Sequence, residues 1–218
     1  MVTIYFDIHR WETEYSFERL LDYMEMNEGQ FNKNLEAERK RIPQKPIGTS
    51  EEDYADWQSE ILFYEELYEK DFPSKIRYSF VVLLQITIET RLRAACNEIA
   101  KRRELMFKER KGSPIERAST FLKKVAQIDL EDWMAKQELN DFQKVRDCIV
   151  HTNGQVELSR DKDRLTELTK NNIGISINDE GFLVIDRNYC GRILDTAKKF
   201  FEELYIAAGF GPSTPFVA

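Results

Sequence analysis

The 218-residue sequence contains few of the side chains that build metal centres and disulfide frameworks. Its two histidines lie far apart, at positions 9 and 151, and its three cysteines, at positions 96, 148 and 190, form no CxxC pair. Structural zinc sites need four Cys or His ligands, and disulfide frameworks need paired cysteines. We therefore expect no metal, no cofactor and no disulfide. Unpaired thiols are typical of a cytoplasmic protein.

Long apolar segments and a glycine-rich phosphate loop are missing as well. The longest apolar run, YSFVVLLQITI (residues 78–88), is too short to span a bilayer and predicts a buried central helix. The N-terminus, MVTIYFDIHRWE, has neither a basic start nor a long apolar core, so we expect no secretory signal. The segment GFGPS follows a predicted helix, whereas a phosphate-binding loop precedes one. These absences favour a cytoplasmic protein without membrane contact.

A basic surface is missing too, because the net charge is −7. Broad, sequence-independent nucleic-acid binding needs lysines and arginines against the phosphates, so this class of protein is disfavoured. The charge is uneven, however. Residues 1–70 hold 17 acidic and 8 basic side chains, whereas residues 91–111 hold 3 acidic and 8 basic ones. The basic strip at 91–111 could hold one phosphate backbone, and it fits a solvated helix end as well.

Apolar residues recur mostly at spacings of three and four, which predicts a helical protein. Helices are expected over residues 14–40 and 50–70, from Pro73 onward, from the capping box SPIE at 113–116, up to Gly154, and after Asp186. The helix from Pro73 carries the longest apolar stripe: Val81, Leu84, Ile88, Leu92, Ala95 and Ile99. Residues 173–185 change to a period of two around a turn, which predicts a β-hairpin.

The predicted fold class is mainly all-α: an up-and-down helical bundle with this small inserted β-hairpin. A chain of this length can form one domain with a sizeable core. We expect the bundle over residues 73–208, with an N-terminal helical elaboration over residues 1–72 packed on it. Residues 209–218 are expected to form a flexible tail.

The stretch RDCIVHTNG, residues 146–154, is the strongest candidate for a functional site. Asp147 and His151 are four residues apart and share a face of the predicted helix, while Arg146 borders the same surface. Cys148 turns toward the core, so we interpret it as a small buried hydrophobe and not as a nucleophile. The helix end is thus predicted to expose a cation, a carboxylate and an imidazole together.

This combination of side chains suits the cleavage of a phosphodiester. A histidine can move a proton to or from a ribose hydroxyl or a leaving oxygen, and an arginine can stabilise the charge that grows on the phosphate. A carboxylate can orient the imidazole. The same residues also fit an ordinary helix end, where a histidine favours the negative end of the dipole and Asn-Gly supplies a left-handed stop. The Arg-His spacing alone does not separate the two interpretations.

The segment KVRDCIVHTNG resembles the signature of the HEPN superfamily (higher eukaryotes and prokaryotes nucleotide-binding). There, an arginine, a polar residue, any three residues and a histidine stand at the end of a helix. The polar residue is commonly Asn, with Asp and His as alternatives, and Asp147 falls within that set. The following Asn-Gly, a long central helix with a glutamate (IETRL, Glu89) and a closing helix are also similar. The resemblance covers residues 73–208.

The resemblance implies a metal-independent endoribonuclease that works as a homodimer, with the motifs of both chains facing one RNA-binding groove. The ribose hydroxyl next to the scissile phosphate would attack it, leaving a cyclic phosphate and a free 5′ hydroxyl. Many members are toxins or antiviral phage-defence effectors that an antitoxin or another protein partner restrains. Carried over residue by residue, Arg146 binds or stabilises the phosphate, His151 moves the proton, and Asp147 supports their geometry.

Two further residues are candidates for a supporting role. Glu89 lies on the predicted central helix, where an i,i+4 pair with Arg93 on a solvent-facing surface explains it as well. Asn153 belongs to the Asn-Gly end of the motif. The alternative function is a non-catalytic HEPN-like module that binds RNA, nucleotide or a protein partner. A structural oligomerisation bundle, in which the motif is incidental, is a third interpretation.

Overall fold

Helices make up most of the structure, a computed structural model that describes residues 4–41, 50–108, 112–130, 133–171, 173–213 and 216–217. The helices are α1 (Ile8–Arg39), α2 (Glu51–Glu65), α3 (Phe72–Arg102), α4 (Pro114–Lys124), α5 (Trp133–Thr152), α6 (Lys162–Thr169) and α7 (Arg187–Ala208). The short strands are β1 (Ile4–Tyr5), β2 (Ile175–Ile177), β3 (Leu183–Ile185) and β4 (Phe216–Val217). The predicted mainly all-α fold with a small hairpin, formed by β2 and β3, is confirmed.

The helices α2 and α3 belong to one continuous helical run about 75 Å long. A π-helical segment, Glu66–Asp71, joins them, and the backbone stays in the right-handed helical region at both junctions. The predicted helix start at Pro73 agrees with the start of α3 within one residue, but the π-helical segment joins α3 to α2 without a break. Proline has no N–H to donate, and the π-helical turn before it accommodates the missing hydrogen bond without ending the helix.

The helix α1 runs antiparallel to this long helical run. Glu12, near its start, pairs with Arg91 at 2.9 Å, and Phe31, nearer its end, packs against Phe72. The first half of α1 is part of the bundle core, since its buried apolar residues are Phe17, Leu20 and Met24. Its second half and α2 contain no further buried residues and form a two-helix arm, residues 25–41 and 50–71. The elaboration expected over residues 1–72 is thus part core and part arm.

The helices α1, α3, α5 and α7 form the up-and-down bundle. Contacts at Arg77–Ile185 and Arg102–Phe210 show that α3 and α7 run in the same direction. Contacts between α5 and α7 come in the reverse order along the two helices, with Phe142 on Tyr189 and, nearer the start of α5, Glu138 with Thr196. Neighbouring helices along the chain therefore alternate in direction, as in other short-loop bundles.

The helix α3 lies at the centre of the core and contacts α1, α4, α5 and α7. Its buried apolar residues include the predicted stripe and are Tyr78, Phe80, Val81, Leu84, Ile88, Leu92, Ala95, Cys96, Ile99 and Ala100. Because α3 is packed on several sides, the apolar residues at 78–88 cover more than one face of the helix. Among the residues that the structure describes, no helix has both the length and the apolar character needed to cross a membrane.

The C-terminal segment, expected to be a flexible tail, is docked on the bundle over its described residues. Phe210 is buried beneath the guanidinium of Arg102, and the backbone N–H of Asp7 donates to the carbonyl of Pro212 at 2.9 Å. Further along, β4 pairs antiparallel with β1. The expectation is corrected for residues 209–213 and 216–217, because an aromatic side chain and strand pairing fix them in place.

Candidate active site

The last turns of α5 carry the motif and turn two different faces to their surroundings. Val145, Cys148 and Ile149 are buried in the core, as predicted, while Val150 and His151 are exposed. Burial raises the pKa of the Cys148 thiol, which therefore stays protonated near neutral pH. This supports the interpretation of Cys148 as a packing residue and leaves the polar side chains of the motif as the candidates for chemistry.

The helix ends at the Asn-Gly pair, as predicted. Asn153 and Gly154 adopt left-handed backbone angles, with φ of 53° and 86°, and the N–H of Gly154 donates to the carbonyl of Cys148 at 3.1 Å. A Cβ on Gly154 would overlap the Tyr78 hydroxyl, which donates a short hydrogen bond to the carbonyl of Leu183. Only glycine fits this position, because both the backbone angle and the contact exclude a side chain.

The chain after the helix end is tied to the hairpin. The N–H of Leu183 donates to the carbonyl of Gly154 at 2.8 Å, and the N–H of Val156 donates to the carbonyl of Gly181 at 3.0 Å. Residues 154–156 therefore extend the β2–β3 sheet by a short third segment. The inserted hairpin holds the motif end of α5 in a fixed position against α3.

Asp147 is the centre of the polar cluster, and its position differs from the prediction. It is only 8% exposed, and each carboxylate oxygen accepts from a different arginine: Nη1 of Arg146 at 2.8 Å and Nη2 of Arg160 at 3.0 Å. The prediction of an exposed carboxylate beside His151 is wrong, because the two guanidinium groups cover it. Buried carboxylates require such partners. Asp147 holds arginines and does not orient the imidazole.

Arg160 is a site residue that the sequence did not indicate. It lies in the loop before α6, thirteen residues after Asp147, and its side chain is 76% exposed. No local spacing connects a loop residue to a helix residue so far back, and its neighbours in SRDKDR form an ordinary charged stretch. Only the packing of the loop against α5 makes the contact visible.

A second buried aspartate pairs with an arginine about two turns earlier on α5, where the helix carries no histidine. Asp141 is buried and accepts from Arg164 of α6 through both of its oxygens, at 2.9 and 2.6 Å. Burial would raise the pKa of Asp141, but the hydrogen bonds from Arg164 and Gln137 outweigh it, so the pKa is lowered. Two buried aspartates of α5 thus fasten the segment 159–169 to the helix through arginines.

The two arginines on Asp147 keep donors that the carboxylate does not use. Arg146 is 24% exposed, and its Nε is buried without a hydrogen-bond partner among the described residues. The side chain of Arg160 is 76% exposed, and its Nε also pairs with Asp161 at 3.5 Å. Because Asp147 takes one N–H from each guanidinium, the solvent-facing N–H groups that remain can donate to a further anion, and guanidinium groups suit phosphate oxygens.

His151 is free at the surface of the helix end. Its imidazole is exposed and makes no hydrogen bond or ion pair with any other residue that the structure describes. It stands one turn, about 6 Å along the axis, beyond Asp147 and its arginines. The imidazole therefore lies on the turn of α5 that follows the one carrying Asp147.

The two supporting candidates, Glu89 and Asn153, are placed differently. Glu89 accepts from Gln85 at 2.7 Å on α3. Among the described residues, no hydrogen bond or ion pair joins it to Arg146, Asp147 or His151. Asn153 is part of the helix stop and, together with Tyr78 and Phe182, lines a cavity of about 450 Å³ between α3 and the hairpin. Arg146, Asp147 and His151 do not line this cavity, so the polar cluster is a surface site.

The cluster thus offers two anchored guanidinium groups and one exposed imidazole that no described residue engages. Those groups can bind an anion and transfer a proton. No group of three or more metal-ligating side chains occurs in the part of the chain that the structure describes. Comparison with known proteins finds no family model, no curated protein and no solved structure that matches this chain.

Proposed function

We propose that the protein is a metal-independent endoribonuclease of the HEPN type, with Arg146, Asp147, His151 and the additional Arg160 as its site. In keeping with the resemblance, it acts in the cytoplasm as a toxin or phage-defence effector that a protein partner restrains. The observation that carries the proposal is the pairing of two arginines on one buried aspartate, one helical turn from an exposed and unengaged histidine.

The proposed reaction uses the RNA itself as the nucleophile. The 2′ hydroxyl attacks the adjacent phosphorus, a P–O bond forms to the 2′ oxygen, and the bond to the 5′ oxygen of the next nucleotide breaks. A base takes the proton of the 2′ hydroxyl, and an acid returns a proton to the leaving 5′ oxygen. Arg146 and Arg160 stabilise the charge that grows on the non-bridging phosphate oxygens.

Two copies of the chain provide both proton-transfer groups. One protomer contributes a single imidazole at this site, whereas the reaction has one proton to remove and another to deliver. The exposed apolar side chains of Val150 and Leu158 flank the cluster and suit a contact between two copies. In a homodimer built on this face, His151 of one protomer acts as the base and that of its partner acts as the acid.

The test is a cleavage assay of mixed RNA in excess EDTA with the intact protein and with His151→Ala and Arg146→Ala variants. We expect each substitution to lower the cleavage rate by about 100-fold or more. The matched control is His9→Ala, which removes the other histidine of the chain. The native His9 pairs with Glu98, and we expect the His9→Ala variant to cleave RNA as fast as the intact protein does. Equal cleavage by His151→Ala, or loss of cleavage on chelation, would refute the proposal.

One observation favours a second candidate, the non-catalytic module that binds RNA, nucleotide or a protein partner. The Asp141–Arg164 pair shows that α5 fastens the segment 159–169 through buried aspartates in any case, so the Asp147–Arg160 pair has a purely structural explanation. This candidate predicts RNA binding without cleavage, weakened by Arg146→Ala and unaffected by His151→Ala.

A further inference from the structure

The helix α2 exposes large apolar side chains on a strongly acidic background. It contains no buried residue, and it carries six acidic side chains and no basic one. Leu62 and Phe63 are 59% and 68% exposed. The following residue, Tyr64, faces α1 and donates to the carbonyl of Leu35, so Leu62 and Phe63 point to other sides of the helix. These two side chains form an apolar surface that nothing in the described part of the chain covers.

A groove of opposite character lies at the far end of α3. It has a volume of about 760 Å³ between the segment after α3 and the helix α4, and we call it the α3–α4 groove. Its apolar lining includes the exposed side chains of Met106 and Val125. Among the described residues, its charged lining consists of Lys108, Arg117 and Lys124 and of one acidic residue, Glu116.

The two surfaces complement each other in both properties that matter for binding. Apolar residues on α2 match an apolar floor in the groove, and the acidic flanks of α2 match its basic rim. The acidic charge of α2 also disfavours its binding to another acidic surface, because like charges repel. The acidic character of α2 excludes RNA as its partner and points to a basic protein groove of this kind.

The complementarity cannot be satisfied within one chain. Leu62 and Phe63 belong to the same continuous helical run as α3, which ends at Arg102 just before the groove. The two surfaces are therefore held about 60 Å apart by a helix. Two chains placed antiparallel about a two-fold axis bring each α2 to the groove of the other, and the contact forms twice. Such a paired, self-complementary contact is the usual form of a homodimer.

We infer that α2 of one protomer docks into the α3–α4 groove of a second copy of this chain. This interface is separate from the motif and does not depend on the proposed ribonuclease activity. The arm thereby gains the burial that it lacks in the single chain, with Leu62 and Phe63 seated on Met106 and Val125. Two chains joined in this way leave the exposed face around His151 available for RNA or for the contact between motifs.

The direct test is thiol cross-linking with a short bismaleimide. The three native cysteines are buried, so they do not compete with introduced thiols. Phe63→Cys chains mixed with Val125→Cys chains are expected to give a covalent product of twice the chain mass of 25.8 kDa. Neither variant alone gives the cross-linked product, because position 63 of one chain faces position 125 of the other chain and not position 63. The matched control is Ile206→Cys, an exposed apolar position near the same end of the bundle, which gives no product with Phe63→Cys.

Charge reversal supplies a second test, by sedimentation velocity. Glu60→Lys with Glu65→Lys, and separately Lys108→Glu with Lys124→Glu, are expected to weaken the association at least tenfold. A mixture of the two double variants restores it, because both contacts of the mixed dimer then join opposite charges, one in the native sense and one in the reversed sense. Raising the salt to about 1 M weakens the native association, since charge attraction is screened.

Three results would overturn the inference: no cross-link between positions 63 and 125, no rescue in the mixture, or a single-chain mass at low salt. Loss of RNA affinity on Lys108→Glu with an unchanged mass would assign the groove to RNA instead. RNA cleavage by His151→Ala leaves the inference standing, because that outcome bears on the motif alone.

Discussion

Asp147 determines what the two arginines of the cluster can do. An asparagine there, the commoner residue in the family that the motif resembles, would accept from one guanidinium and donate with its other end. The aspartate accepts from both Arg146 and Arg160 and holds their positive charge near one spot. In the proposed reaction its role is to position the arginines, and the exposed imidazole at 151 is the group proposed for proton transfer.

The Asp147→Asn variant tests this positioning role. Removing the carboxylate charge weakens both ion pairs and leaves Arg146 half-buried without its partner. The free energy of unfolding is expected to fall by about 1–3 kcal/mol, as measured by urea titration. Cleavage is expected to fall as well, because the arginines are no longer fixed. Asp195→Asn, an exposed position on α7, is the matched control and changes neither quantity. Equal stability of the two variants would contradict the role assigned to Asp147.

His151→Ala separates chemistry from stability. The side chain is exposed and engages no described residue, so its removal is expected to change the unfolding free energy by no more than about 0.5 kcal/mol. The cleavage rate, in contrast, is expected to fall by two orders of magnitude or more. Thermal unfolding and RNA cleavage on the same sample provide the check. A large drop in stability would mean that the imidazole has a packing role.

At the scale of single residues, the sequence predicted the burial of Cys148 and the exposure of His151, because helical periodicity assigns both to a face. It predicted the wrong surroundings for Asp147. A helical wheel places Asp147 on the side of His151 but does not show that Arg160, thirteen positions later in a loop, folds back over it. Contacts made by loops depend on tertiary packing, which no local pattern contains.

At the scale of elements, the end of α5 depends on one glycine. Gly154 has a φ of 86° and leaves no room for a Cβ beside the Tyr78 hydroxyl. The structure supplies a control in Gly181, whose φ of 83° is nearly the same but whose surroundings are open.

Gly181→Ala is expected to lower the free energy of unfolding by about 1 kcal/mol, because alanine is strained in the left-handed backbone conformation. Gly154→Ala is expected to cost at least about 2 kcal/mol, because the overlap with Tyr78 adds to the same backbone term. Urea unfolding of both variants measures the difference. Equal losses for the two variants would show that the hairpin and α3 do not fix the helix end as tightly as proposed.

The elements whose boundaries the sequence predicted well carry local signals. Ser113 and Glu116 form the predicted capping box, Asp186 caps α7, and Asn-Gly ends α5. The join between α2 and α3 was missed, because a proline ordinarily marks a helix start. A π-helical turn carries the helix past Pro73, where Phe72 packs against Phe31 of α1, and no local pattern marks that contact.

At the scale of the whole molecule, buried ion pairs make the stability depend on pH. Burial would raise the pKa values of Asp7 and Asp141, but hydrogen bonds from Arg102 and Arg164, respectively, outweigh it, and both pKa values are lowered from 3.8. A carboxyl group whose pKa is lower in the folded than in the unfolded state stabilises the fold above its unfolded value. That stabilisation is lost as the pH falls through the folded value.

We therefore expect the free energy of unfolding to decrease steeply below about pH 4. Asp7 fastens the start of α1 to the end of α3, and Asp141 fastens α6 to α5. Urea titrations at pH 7, 5, 4 and 3 measure the slope. In Asp141→Asn the protein is less stable at pH 7, and the acid slope is shallower. If Asp141→Asn loses stability with falling pH as steeply as the intact protein does, other carboxylates cause the loss of stability in acid.

The bundle as a whole could be predicted from the sequence, because helical periodicity and short loops specify alternating helices. The docking of the C-terminal segment could not. Phe210 and Pro212 follow the glycine stop of α7 in a stretch of turn-forming residues, which usually indicates a loose end. Their partners, Arg102 and Asp7, come from the end of α3 and the start of α1. Contacts between distant parts of the chain appear only in the fold.

Whether this helix end cleaves RNA through His151 is decided by the chemical identity of the fragment ends. Mixed RNA is incubated in excess EDTA with the intact protein and with His151→Ala, and the termini of the fragments are determined by mass spectrometry. We expect 2′,3′-cyclic phosphate and 5′-hydroxyl ends from the intact protein, and none above background from the variant. Fragments with 5′-phosphate ends, or the same fragments from both proteins, would contradict it.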